Sequence, residues 1–156
     1  MTPRITVLGL GNTLMGDDGV GVRVADALAE RDLGSDVAVV PGGVAGMALV
    51  PLFVESDAVV VVDAIATDDV PGSVYRFTAE EVRFAPLRSN TSHGFSLPAV
   101  LTAARLQGAD PDVVIYGVQI EDITSGFDTL SPAVEAAVPD VADMIAEEVA
   151  KLLAGP

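Results

Sequence analysis

The sequence has no cysteine, which excludes a disulfide framework, a thiolate metal site and a cysteine nucleophile, and suits a reducing cytoplasm. Basic residues are scarce, with 8 Lys plus Arg against 23 Asp plus Glu and a formal net charge of −15. Such a surface repels phosphate backbones and anionic lipid heads, which argues against nucleic acid and membrane partners, and its simplest consequence is solubility. Aromatic residues make up 4% of the chain and histidine occurs once. Secretory-signal anatomy is missing, because Met1-Thr2-Pro3-Arg4 leads into an apolar run that is over before Asn12. The longest uncharged stretch, Val37 to Val54, contains Pro41, Gly42, Gly43, Gly46 and Pro51, and so reads as strand, turn and helix rather than as a membrane span.

What is present is a Val- and Ala-rich chain of 156 residues, half of them apolar, a length that predicts one domain over 1–156. Apolar runs predict buried strands at Ile5–Leu10, Val37–Val40, Ala58–Val62 and Val113–Val118, and the alternation over Ser73–Phe77 predicts an edge strand. The four consecutive valines before Asp63 require burial on both faces. Helical spacing links Val20, Val24, Ala27 and Leu28, with Asp17 or Asp18 placed to cap that helix. A short helix is expected over Met47–Val54, and Ser96 caps another that buries Leu97, Val100, Leu101 and Ala104. Ser131-Pro132 opens the last helix, whose stripe is Val134, Val138, Val141, Ile145, Val149 and Leu152; Pro139 is expected to kink or interrupt it. The fold class is therefore α/β, a three-layer sandwich with a mostly parallel twisted sheet of about five strands and helices on both faces. Ligands in such folds collect at the carboxyl ends of the strands.

Gly9-Leu10-Gly11-Asn12 invites a dinucleotide-binding reading, but that fingerprint fails. Its third glycine would fall at Leu14, no carboxylate follows the second strand, and Asp17 and Asp18 would oppose phosphates at the helix N-terminus. With no Walker-type lysine either, no nucleotide cofactor is expected. Serine catalysis lacks a G-x-S-x-G elbow around Ser92. What remains is Asp18 beyond the first strand, Asp63 at the end of the third, and His93 in a loop before a helix. Two carboxylates and an imidazole can hold a divalent ion with positions left open. The same carboxylates can equally activate a water between them. For Asp17, capping is the simpler reading, and Gly42, Gly43 and Gly46 read as turn glycines.

These residues stand in motifs. The run Gly9-Leu10-Gly11-Asn12-Thr13-Leu14-Met15-Gly16-Asp17-Asp18-Gly19-Val20-Gly21, the Gly42-Gly43-Val44-Ala45-Gly46 turn, Val62-Asp63-Ala64 and Ser92-His93 together resemble the hydrogenase maturation endopeptidases over nearly the whole chain. The resemblance implies that Asp18, Asp63 and His93 are the metal-binding and catalytic residues. It implies that nickel is supplied by the substrate, a nickel-loaded hydrogenase large-subunit precursor that loses its C-terminal extension. The enzyme need not hold a metal at rest, and aspartic-type and metal-dependent mechanisms both stay open. The family carries Glu or Asp at the position of Asp18. Gly94-Phe95-Ser96 departs from the His-Gln-Leu-Gly form of some members, which bears on substrate choice. A non-catalytic metal escort or chaperone for hydrogenase assembly would use the same three ligands. The loops Gly43–Met47 and Gln119–Thr129 are candidates to grip the substrate tail.

Overall fold

In the computed structural model, which describes residues 3–91 and 96–156, Val59 to Val62 lie fully buried inside a five-stranded sheet. The strands are β1 (Ile5–Leu10), β2 (Val37–Gly43), β3 (Ala58–Ile65), β4 (Val74–Thr78) and β5 (Asp112–Gln119), in the spatial order β2-β1-β3-β5-β4. All neighbours are parallel except β4, which closes one edge antiparallel to β5. The helices are α1 (Val20–Ala29), α2 (Val50–Glu55), α3 (Leu97–Leu106) and α4 (Pro132–Ala154).

Successive strand side chains point to opposite faces, and the valines divide accordingly. Val60 and Val62 share one core with α1 and α4, whereas Val59 and Val61 share the other with α2 and α3. By the same alternation Asp63 belongs to the α2/α3 face. This is the three-layer α/β sandwich that the patterning predicts. β1 sits between β2 and β3, so the chain winds to one side of it through α1 and returns to the other through α2. The carboxyl ends of β1 and β3 thus flank a topological switch point. No helix among the described residues is long and apolar enough to cross a membrane.

Several boundaries differ from the sequence reading, among them β2, which runs on to Gly43, so that Gly42 and Gly43 are strand residues rather than turn glycines. β3 continues through Ile65, so Asp63 is inside the strand rather than at its end, because Ala64 and Ile65 still pair with Val118 and Gln119. The segment before β3 splits into a 3-10 turn, Gly46–Leu49, and α2. Pro139 does not interrupt α4: it is exposed, and burial of Val134, Val138, Val141, Ile145 and Val149 outweighs the roughly 3 kcal/mol penalty of an internal proline.

α1 approaches the sheet at Gly21, where a Cβ would lie 2.3 Å from the carbonyl oxygen of Leu10 and 2.4 Å from that of Val62. A methyl group there must push the helix off the strand ends. Gly21→Ala is expected to lower the unfolding free energy by about 2 kcal/mol, read as a lower urea midpoint at unchanged m-value.

Candidate active site

The chain leaves β1 through Gly11, whose φ of 125° suits only glycine and where a Cβ would lie 1.9 Å from the carbonyl oxygen of Asp18. The glycine run after β1 therefore serves a backbone that folds back on itself. Asn12 anchors the return, its Oδ1 accepting from the Leu14 amide (2.9 Å) and its carbonyl from the Met15 amide (3.0 Å). A 3-10 turn, Gly16–Gly19, then leads into α1.

Asp17 and Asp18, both on this turn, are buried at 0% and 6% exposure. Neither caps α1, whose N-cap is Gly19, so the capping expectation is corrected. Asp17 is instead the acceptor for a distant loop. It takes the amides of Glu121 and Asp122 (both 2.9 Å), the amide of Ser131 (2.6 Å) and the Ser131 hydroxyl (2.8 Å). Asp18 faces elsewhere. Its Oδ2 accepts the Asn12 amide at 2.9 Å and its Oδ1 accepts Arg88 Nε at 3.2 Å.

Asp63 has no exposed surface. Its Oδ1 accepts the Ala64 amide at 2.8 Å, and its Oδ2 accepts both the amide (3.2 Å) and the hydroxyl of Ser89. Burial pushes its pKa up to about 6; the Ser89 bonds pull it down, and the charge of Asp18 pushes it up. The two carboxylates are thus close enough to feel one another. One 3-10 turn, Arg88–Thr91, holds both, with Arg88 on Asp18 and Ser89 on Asp63. Asn90 fixes that turn to α3, its Oδ1 accepting the Leu97 amide at 3.1 Å.

Of the three residues singled out from sequence, Asp18 and Asp63 come together at the switch point. His93 lies outside the described residues, two positions beyond the turn in sequence. Among the described residues, no group of three His, Cys, Asp or Glu side chains could hold a metal ion. Sequence reasoning missed Arg88 and Ser89, whose partners lie 70 and 26 positions away, a separation that no local pattern encodes. The two candidate gripping loops flank the segment carrying the aspartates. Gly43 accepts from the Gly11 amide (3.0 Å), and the loop after β5 reaches Thr13 and Gly16 through Asp128 and Gly126 (2.7 and 3.2 Å). Gln119 itself is a buried strand residue bonded to Thr67, not a loop residue.

The chain and its mostly parallel α/β fold have known counterparts. The family model described as HycI, hydrogenase maturation protease, matches residues 22–148. The hydrogenase 2 maturation protease of Escherichia coli (strain K12) is 33% identical over 145 residues, 91% of this chain and 88% of that protein. Among solved structures, the E. coli hydrogenase maturating endopeptidase HybD superposes with a TM-score of 0.79 at 32% identity, covering 91% of this chain and 89% of that one. The NiFe hydrogenase maturation protease HycI of Thermococcus kodakarensis gives 0.77 at 28% identity, covering 96% and 94%. The chain belongs to the hydrogenase maturation protease family. It is accordingly an endopeptidase, a hydrolase of peptide bonds.

Asp17→Ala would strip the acceptor from three amides and a hydroxyl; a loss of about 3 kcal/mol or more is expected, seen as a lower thermal midpoint. For Asp63, the 13Cγ resonance of the metal-free protein should titrate near pH 6, the carboxylate being charged above that value and neutral below it. Ser89→Ala removes a bond that favours the charged form, so the midpoint should move further up; a downward move would show that Ser89 does not set it.

Proposed function

We propose that the chain removes the C-terminal extension of a nickel-loaded hydrogenase large-subunit precursor in the cytoplasm, and that Asp18, Asp63 and His93 form the site that meets the nickel and the scissile peptide. The observation that carries this reading is the pair of buried carboxylates, Asp18 and Asp63, bonded by adjacent residues of one turn, Arg88 and Ser89, near the carboxyl ends of the strands. Two oxygen donors and an imidazole suit a divalent ion of intermediate softness, and the nickel arrives as part of the substrate. Bound there, it would polarise the amide carbonyl.

The chain's own groups account for the rest. Above about pH 6 Asp63 is ionised and able to take a proton from an attacking water, and the same proton can be passed to the leaving amine. Ser89 and the Ala64 amide fix its carboxylate while the proton moves. The flanking loops, with exposed Val44 and Met47 on one side and Phe127 on the other, offer apolar surface to an extended tail.

Incubation with nickel-loaded precursor should shorten it by the mass of its C-terminal peptide. Precursor lacking nickel should stay whole. Asp18→Asn, Asp63→Asn and His93→Gln are each expected to lower kcat/KM by about 100-fold or more. Normal cleavage by all three variants would overturn the site. An intact precursor from which nickel has been handed on would point instead to a metal escort.

A further inference from the structure

We propose that Arg88 is the resting occupant of the cation position at Asp18, and that a docking metal centre must displace it, which makes Arg88 a specificity-determining residue. The inference rests on the preceding reading that a divalent cation engages Asp18 and Asp63. Its grounds are geometric. Arg88 Nε meets Asp18 Oδ1 at 3.2 Å, longer than the 2.6–2.9 Å bonds that fix Asp17 one residue away, and long for a charge-assisted pair. Arg88 is the outer partner, its side chain 26% exposed against 9% for Asp18.

The backbone beneath Arg88 does not depend on that ion pair. Ser89 is tied to Asp63 by its amide and its hydroxyl, and Asn90 is tied to the start of α3. The turn is therefore held in place even when the guanidinium is displaced from Asp18. With no metal bound, Arg88 offsets the repulsion between two buried carboxylates. Once a divalent ion approaches, the guanidinium is a like charge in the same place and opposes entry. A loose ion must overcome that opposition with its own binding alone. A metal centre carried by a docked polypeptide adds the binding of the chain around it, so the arrangement favours metal presented by protein over metal in solution.

The test is nickel chloride titrated calorimetrically into the metal-free protein. Arg88→Gln should bind nickel about tenfold or more tightly than wild type, and Arg88→Lys, which keeps the charge, should stay within about threefold. In wild type, the Arg88 Nε–Hε resonance should shift when zinc saturates the site, a readout that needs no variant to fold. Unchanged nickel affinity in Arg88→Gln, or an unmoved Nε–Hε resonance at zinc saturation, overturns the role of Arg88 alone. Nickel affinity unaffected by Asp18→Asn overturns the metal site itself and this proposal with it.

Discussion

A carboxylate with no exposed surface must find its donors within the protein, and Asp63 imposes that demand directly after four fully buried valines. Its strand is buried on both faces, and burying the four valines before it contributes on the order of 6 kcal/mol or more. The turn Arg88–Thr91 answers the demand, since Ser89 supplies two of the three hydrogen bonds that Asp63 receives. Once Ser89 is committed, its neighbours are placed as well. Arg88 meets Asp18 and Asn90 meets the first residue of α3. Two carboxylates, one turn and one helix start thereby become a single mechanical unit.

Asp17 organises the opposite side of the crevice. The loop between β5 and α4 has little regular structure of its own, yet its ends converge on this one side chain. Asp17 also donates its own amide to the Asp122 carbonyl at 2.9 Å. The scaffold role and the chemical role are thus divided between consecutive residues of the same charge, one turned toward the loop and the other toward the partner carboxylate. Hydrogen bonding explains why the two do not interchange. Four donors converge on Asp17, and an arginine and an amide on Asp18.

Much of this was legible in the sequence because it is local or periodic. The valine run announced a doubly covered strand, Ser96 announced the start of α3 with its hydroxyl accepting the Ala99 amide, and the alternation over Ser73–Phe77 announced the edge strand β4. Asp63 was marked by following a run that had to be buried, and Asp18 by its place beyond the first strand. Other features depend on tertiary contact and were hidden. Asp17 resembled a helix cap because capping aspartates and loop-binding aspartates precede helices alike. Pro139 resembled a helix breaker because propensity is local, whereas the packing that carries α4 past it is not. Arg88 and Ser89 look like ordinary polar loop residues until the turn is folded over the strand ends.

Nine residues, from Leu10 to Asp18, separate the last residue of β1 from the second aspartate, counting both ends. Since neighbouring side chains on that tight turn look in different directions, adding one residue ahead of it would rotate the phase. The residue now bound by the loop amides would then face Arg88, and the residue now facing Arg88 would be carried past it. Length in this stretch is consequently held more strictly than identity. Leu14, whose side chain lies largely in solvent, can drift in type, while an insertion beside it would exchange a structural anchor for a reactive group.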